Sequence, residues 1–164
     1  AGAIRLDVQG DEAVRQACIE VLDSARRFAP QAMINGVLVQ EMARRGVEMM
    51  LGVMRDLVFG PVVAAGLGGI HVEVLRDMAY RVAPVMVAEA QRMLAELRGY
   101  KLLEGVRGAP PADVDALADA IVRLSWLAFD LVDAIEEIDI NPLVVFERGA
   151  GVKALDALIV RRDA

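Results

Sequence analysis

Acidic and amide side chains interrupt two apolar stretches near the end of the chain. Asp139 and Asn141 lie two residues apart in the run Ile138–Phe146, and Asp156 interrupts the run Val152–Val160. Because side chains alternate along a strand, Asp139 and Asn141 should point to the same side of a sheet. Oxygen ligands that face one another across a hairpin suit a hard cation such as Mg²⁺, which also coordinates substrate phosphates. A solvated strand face is the alternative that this spacing alone favours.

A glycine-rich turn and two glutamates are further candidates for ligand contacts. The stretch Gly66-Leu67-Gly68-Gly69 could bring backbone N–H groups close to an anion. It lacks the Lys-Ser or Lys-Thr of a P-loop and is equally typical of a tight turn. Glu41 and Glu48 stand on either side of a basic turn, where they could receive the hydroxyls of a ribose. Pairing with Arg44 and Arg45 at the surface is the alternative that the spacing favours.

The single histidine and the single cysteine complete no catalytic set. His71 lies within an apolar strand pattern, where a lone histidine is more often a core or edge residue than a catalyst. No Ser-His-Asp set can be assembled around it from the sequence, and no cluster of Cys and His suits zinc. Cys18 has apolar neighbours at helical spacing, which indicates a small core residue.

Length and composition restrict the class of protein. The 164 residues suit one domain, and the net charge of −6 disfavours a sequence-independent grip on nucleic acid. An apolar share of 56% is incompatible with intrinsic disorder. The longest uncharged run, 57–72, is interrupted by glycines and is too short to span a membrane, and the first residues carry no secretory signal. We therefore expect a folded cytoplasmic protein that binds neither nucleic acid nor membrane.

Hydrophobic periodicity predicts strands and helices in succession along the chain. Spacings of three and four predict helices over 11–29 and 87–97 and from Asp113 onward. Branched apolar runs predict eight strands, the last two forming a closing hairpin: Ala1–Leu6, Gly36–Met42, Val47–Met54, Pro61–Ala65, Ile70–Leu75, Ala79–Val82, Ile138–Phe146 and Val152–Val160. Such closely spaced strands are typical of antiparallel neighbours. The sequence therefore predicts an α+β fold, a mostly antiparallel sheet with helices packed on one face.

The last predicted helix carries more apolar surface than one packing face needs. Its main stripe, which suffices to cover a sheet, is Val114, Leu117, Ile121, Leu124 and Ala128. A second strip of Val122, Trp126 and Phe129 lies roughly a quarter turn away at ~100° per residue. Large exposed apolar patches mark interfaces. The second strip therefore predicts a homo-oligomer held through Trp126 and Phe129.

Six segments, taken together and in order, resemble one protein family. They are Gly36–Met42, Gly46–Glu48, Phe59–Val63, Gly66–Asp77, Leu103–Gly108 and Ile138–Leu143. They are similar to the ATP-grasp domain of NDP-forming (ADP-forming) acyl-CoA synthetases, relatives of succinyl-CoA synthetase β subunits, over about 1–160. The resemblance implies an ATP-grasp second subdomain that uses ATP or ADP with Mg²⁺. It implies an enzyme that interconverts acyl-CoA, ADP and phosphate with a carboxylic acid, CoA and ATP, through an acyl phosphate and a phosphohistidine.

The resemblance also assigns roles to individual residues. It implies that the backbone around Gln40, Glu41 and Met42 forms the hinge that reads adenine, and that Glu48 holds the ribose. Asn141 and Asp156 match the Mg²⁺ ligands of the family, and Asp139 matches the acid that meets the phosphohistidine beside the nucleotide. By position, His71 does not match the histidine that carries the phosphoryl group.

Two parts of the family pattern would precede Ala1, namely a subdomain whose lysine reaches the phosphates and the segment that bears the phosphohistidine. We therefore expect a fragment in which 1–164 is a single domain, the C-terminal part of an ATP-grasp domain. Its partners would be the missing N-terminal subdomain and the CoA-binding domains. The chain alone is expected to bind nucleotide weakly and to synthesise no acyl-CoA. The alternative hypothesis is an assembly module without catalysis, natural or engineered, held together by its apolar surface.

Overall fold

The computed structural model describes residues 1–69 and 77–162, and the chain divides into two compact units, 1–43 and 44–164. The first unit contains helix α1, Asp11–Phe28. The elements of the second unit are β1 (Val47–Asp56), β2 (Gly60–Leu67), β3 (Met78–Val82), α2 (Val87–Ala95), a 3-10 turn (Arg98–Leu102), α3 (Val114–Asp130), β4 (Ile135–Val145), β5 (Val152–Ala154) and β6 (Ala157–Arg161). No helix in the described part of the chain has both the length and the apolarity that crossing a bilayer demands.

The unit 1–43 has helix α1 as its regular element. Asp11 and Glu12 occupy the first turn of α1 and Arg26 and Arg27 the last, an order that complements the helix dipole. The helix prediction is confirmed, but the strands predicted at Ala1–Leu6 and Gly36–Met42 are wrong, since both segments lack regular structure. Branched apolar residues form a strand only where a neighbouring backbone accepts their hydrogen bonds, and neither segment pairs with one of the described strands.

The unit 44–164 is built on one six-stranded antiparallel sheet. Its order is β3-β2-β1-β4-β5, and β6 pairs with β4 on the same side as β5. The predicted antiparallel sheet and closing hairpin are thus confirmed, but the predicted strand Val152–Val160 is broken at Leu155 and Asp156. The strand predicted at Ile70–Leu75 lies outside the described residues.

Helices α2 and α3 cover one face of this sheet. Alternate residues of β1, namely Met49, Leu51 and Val53, are buried in one cluster with residues of both helices. The main stripe predicted for α3 is confirmed, because its members from Leu117 to Ala128 are buried in the same cluster. The other face of the sheet leaves Met54 and Tyr80 half-exposed. Because the helices cover one face of the sheet, a ligand can reach the sheet from the other face.

The second apolar strip of α3 is exposed only at its aromatic residues. Trp126 and Phe129 are 42% and 48% exposed, and their rings meet edge to face with centroids 5.9 Å apart. Val122 packs against the core instead. The surface predicted from this strip therefore consists of an aromatic pair at one end of α3.

Asp113 ties the start of α3 to the turn between β4 and β5. Its Oδ1 accepts the backbone N–H of Ala116 at 3.2 Å, and its Oδ2 accepts those of Gly149 and Gly151, each at 2.9 Å. The bond from Gly151, together with those from Ala116 and Gly149, holds the pKa of this buried carboxyl below its usual range. A helix cap thus anchors the hairpin that carries the candidate ligands.

Candidate functional site

A groove of ≈ 360 Å³ lies over the sheet. The groove has space over the strands because Gly52 on β1 has no side chain and Ala64 on β2 has only a methyl group. Its other walls include the side chains of Met50, Met54, Met78, Tyr80, Glu137 and Asp139. Sequence analysis missed Gly52, although a lone glycine inside a strand pattern often marks a place where a ligand approaches the backbone closely.

Asp139 lines this groove and carries a buried, unsatisfied oxygen. It pairs with Gly52 across β4 and β1. Its Oδ1 is buried and has no hydrogen-bond partner among the described residues. A buried carboxylate oxygen without a donor is costly, so such an atom calls for an explanation in function. A ligand that brings an N–H donor or a cation into the groove would satisfy it.

Asn141 lies at a bulge of β4. The pairing with β1 shifts between Met49, which faces Leu143, and Leu51, which faces Ile140, so that two residues of β4 oppose one of β1. Bulges re-aim side chains, and Pro142 suits one because it has no N–H to contribute to the ladder. The Asn141 Oδ1 accepts the backbone N–H of Gly69 at 3.2 Å. The side chain of Asn141 is therefore held by the turn that follows β2.

Asp156 lies beside Asn141 on the neighbouring segment of backbone. Leu155 donates its N–H to the carbonyl of Pro142 at 3.0 Å, and Ala157 pairs with Ile140, so the two contacts enclose Asp156 and Asn141 between them. Asp156 is exposed, and its Oδ1 accepts the N–H of Ala157 at 2.9 Å. The structure thus places Asn141 and Asp156 at neighbouring backbone positions of the hairpin.

The donor chemistry at Asn141 and Asp156 fits Mg²⁺. Both supply hard oxygen atoms, and Mg²⁺ is usually bound by one or two carboxylates together with substrate phosphates and water. Among the described residues no group of three or more His, Cys, Asp or Glu could hold a metal.

Glu48 lies at the start of β1 and contacts the glycine turn. Its carbonyl accepts the N–H of Gly68 at 2.8 Å. A Cβ on Gly69 would overlap the Oε2 of Glu48, so the carboxylate occupies the space that any side chain at residue 69 would take. Arg44, one predicted partner of Glu48, lies over the ring of Phe146 at 5.3 Å.

The sheet unit contains four of the seven predicted site residues, namely Glu48, Asp139, Asn141 and Asp156. Gln40, Glu41 and Met42 lie in the unit 1–43, in a segment without regular structure, and their assignment stays a prediction. His71 lies outside the described residues.

Comparison with known proteins relates this chain to nucleotide-dependent ligases. A family model described as an ATP-grasp domain matches residues 1–160. The beta subunit of acetate–CoA ligase [ADP-forming] II of Pyrococcus furiosus is 38% identical over 160 residues, which cover 98% of this chain and 68% of that subunit. Acetate–CoA ligase [ADP-forming] I of Archaeoglobus fulgidus is 42% identical over 151 residues, covering 92% of this chain and 22% of that protein.

A solved structure supports the same relationship. The dinucleotide forming acetyl-coenzyme A synthetase 1 of Ca. Korarchaeum cryptofilum superposes with a TM-score of 0.82 at 37% identity, covering 96% of this chain and 67% of that chain. That structure is a complex with coenzyme A and Mg-AMPPCP, with a phosphohistidine segment pointing towards the nucleotide binding site. The present chain therefore spans about two thirds of the shorter relatives and about a fifth of the long ones.

Proposed function

This chain belongs to the ATP-grasp domain family, and we propose that it forms a nucleotide- and Mg²⁺-binding part of an ADP-forming acyl-CoA synthetase. The observation that carries the proposal is the adjacency of Asn141 and Asp156, which the contacts of Leu155 and Ala157 with β4 impose. Hard oxygen donors in this arrangement suit a cation that also binds phosphate.

Within this proposal each residue has a binding or orienting task. Asn141 and Asp156 bind Mg²⁺ through their side-chain oxygens. The cation supplies neutralisation of phosphate charge during in-line transfer. Glu48 accepts hydrogen bonds from ribose hydroxyls, and the backbone at Gln40, Glu41 and Met42 reads the adenine edge. These residues mainly fix positions, and positioning provides most of the catalysis in phosphoryl transfer.

The free oxygen of Asp139 gives it a separate task. We propose that this atom accepts a hydrogen bond from the ring N–H of a histidine that enters the groove to exchange a phosphoryl group with the nucleotide. The bond would orient the imidazole so that its other nitrogen faces the phosphate. The absence of a side chain at Gly52 leaves room for the ring beside Asp139.

Calorimetric titration tests the metal and nucleotide assignment. Mg-ADP is titrated into the wild-type chain and into the double variant Asn141→Ala plus Asp156→Ala. We expect measurable heat with the wild type and loss of binding in the variant. ADP with EDTA in place of Mg²⁺ should bind the wild type more weakly than Mg-ADP.

A matched control distinguishes the loss of site residues from the loss of any surface carboxylate. Asp130→Ala removes an exposed carboxylate at the end of α3 and should leave the titration unchanged. Equal binding by the wild type and the double variant would show that these two residues do not hold the nucleotide, and the proposal would then be wrong.

We also propose that the chain alone does not synthesise acyl-CoA. It spans 22% of acetate–CoA ligase [ADP-forming] I of Archaeoglobus fulgidus, so most of that relative's sequence has no counterpart in it. A coupled assay for ADP release with acetate, CoA and ATP should give no rate above background for the purified chain. Turnover by the purified chain would contradict this.

The aromatic pair on α3 favours a second candidate function, self-association. Trp126 and Phe129 expose nearly half of their surface, and aromatic side chains are enriched at protein interfaces. We propose that a second copy of this chain covers the pair. Such assembly is compatible with nucleotide binding, because the pair lies on a helix of the covered side of the sheet and the groove is lined by strand residues.

A further inference from the structure

Gly69 contacts two candidate ligand-binding residues at once. Its backbone N–H donates to the Asn141 Oδ1 at 3.2 Å. Its Cα faces the Glu48 carboxylate, which would overlap a Cβ at this position. A glutamate that holds the ribose does not require a glycine beside it, and neither does an asparagine that binds a metal. The contact of Gly69 with both residues is therefore a separate feature of the site.

The bond from Gly69 determines which end of the Asn141 amide is available. An asparagine side chain has an oxygen that accepts and a nitrogen that donates, and rotation by half a turn exchanges them. An N–H donor facing the Oδ1 fixes the oxygen in place. A carbonyl oxygen has two lone pairs, so a second one remains for a cation. Groups that orient a metal ligand in this way contribute strongly to metal affinity.

The conformation of the turn explains why the residue is glycine. Gly69 has a φ of +61°, which L side chains rarely adopt. The preceding Gly68 packs directly on the backbone of Met49, and its N–H is bonded to the Glu48 carbonyl. The turn is therefore held against the start of β1, so a side chain at residue 69 would have to displace the Glu48 carboxylate.

We propose that Gly69 is a positioning residue that couples Glu48 to Asn141. The Glu48 carboxylate packs against the Cα of Gly69, and the N–H of Gly69 orients the Asn141 amide. This rests on the proposed function, in which Glu48 holds the ribose and Asn141 holds Mg²⁺. A side chain at residue 69 displaces the Glu48 carboxylate and shifts the N–H that orients Asn141. One substitution then disturbs ribose recognition and metal binding together.

The first test compares Gly69→Ala with Gly108→Ala. Gly108 also has a positive φ, +85°, but a Cβ there meets no atom within 4 Å, so it reproduces the backbone strain without the contact. We expect Gly69→Ala to weaken Mg-ADP binding by about tenfold or more, as removal of an orienting partner does, and Gly108→Ala to change it by less than about twofold. The preference for ADP over 2′,3′-dideoxy-ADP should fall only in Gly69→Ala, because that ratio reports on Glu48 rather than on stability.

The second test needs no ligand and so remains decisive even if Mg-ADP does not bind. In ¹⁵N NMR spectra of the free protein, the side-chain amide signals of Asn141 should shift in Gly69→Ala and stay in place in Gly108→Ala. Failure of the wild type to bind Mg-ADP would contradict the proposed function, whereas an unmoved Asn141 signal contradicts the coupling itself.

A further variant covers the case in which Gly69→Ala does not fold. Glu48→Ala removes the carboxylate from its seat on Gly69 and should also shift the Asn141 side-chain amide signals. The control Glu104→Ala removes an exposed carboxylate elsewhere in the same unit and should not. The proposal is overturned if Glu48→Ala leaves those signals where Glu104→Ala does.

Discussion

Asp139 on β4 pairs with Gly52 on β1, and the partner strand therefore provides no side chain beside the buried, unbonded oxygen of the carboxylate. A larger residue opposite would fill the groove next to that oxygen. The pairing thus leaves open space on the β1 side of Asp139, next to its buried and unsatisfied acceptor. Keeping such a costly acceptor is more typical of a binding site than of a core optimised for stability.

Substitution of Gly52 should separate folding from binding. A Cβ at this position meets only the Ile138 carbonyl oxygen at 3.5 Å and the Ala64 Cβ and Met50 Cε at 3.8 Å, which are ordinary contacts. We expect Gly52→Ala to change the free energy of unfolding by less than about 1 kcal/mol. Gly52→Leu should remain folded and lose the binding of free imidazole, because its side chain occupies the groove beside Asp139. Circular dichroism and titration of both variants measure this, and full binding by a folded Gly52→Leu would contradict the groove assignment.

Replacement of Asp139 by asparagine should not destabilise the protein. The change removes a carboxylate whose Oδ1 is buried without a donor, and a neutral amide is less costly to bury. We expect the free energy of unfolding to stay the same or to rise by about 1 kcal/mol. Urea unfolding monitored by Trp126 fluorescence provides the measurement. A loss of several kcal/mol would mean that the carboxylate has a stabilising partner.

The same substitution at Asp113 should have the opposite effect. Its carboxylate accepts three backbone N–H groups, and an amide nitrogen cannot accept those of Gly149 and Gly151. We expect Asp113→Asn to lower the free energy of unfolding by about 2 kcal/mol, as expected for loss of charged cap hydrogen bonds. Urea unfolding again measures the change, with Asp139→Asn as the matched control in the same unit. Equal stability of the two variants would refute the role of Asp113.

The pH dependence of stability should carry the signature of Asp113. Hydrogen bonds in the folded state lower the pKa of this carboxyl, so its contribution is fully present above the pKa of an unfolded aspartate, about 3.9. The contribution is lost as the pH falls from there through the lower folded value. We expect the wild type to lose stability more steeply than Asp113→Asn in this acidic range. Parallel curves from urea unfolding at a series of pH values would contradict this.

Self-association through α3 predicts a change in mass. Trp126→Glu places a charge within an exposed apolar pair and should yield a smaller particle in light scattering, with unchanged circular dichroism. Leu57→Glu is the matched control, because Leu57 is 97% exposed at the tip between β1 and β2. A mass that is insensitive to Trp126→Glu, or equally sensitive to both changes, would rule out a second copy as the partner of this surface.

Hydrophobic periodicity correctly predicted those elements that bury one face and expose the other. The buried stripe of α3 and the alternation of β1 follow from spacing, because each has one face to bury. Gly36–Met42 is equally rich in residues that favour strands, but it has no regular structure. A strand also needs a neighbouring strand to pair with, and local composition does not supply one. Local preference therefore identified apolar segments correctly but could not say which of them are paired.

The candidate site was predictable in its residue types but not in its geometry. Asp139, Asn141 and Asp156 stand out as polar residues in apolar runs. The bulge that opposes two residues of β4 to Met50 depends on tertiary contacts, as does the bond from Gly69 to Asn141, which joins residues 72 positions apart. Asp113 was predicted only as part of a helix start, because a cap that also binds a distant turn looks like any other cap in sequence.

The break at Leu155 and Asp156 also changes the edge that the sheet presents to other chains. The outer edge of the sheet is made by β5, with three residues, and β6, with five, rather than by one continuous strand. A long, flat row of unpaired backbone groups would serve as a template for another chain to add to, as in amyloid growth. Interruption by an acidic residue shortens that template, so the residue proposed to hold the cation also divides the edge to which another chain could add.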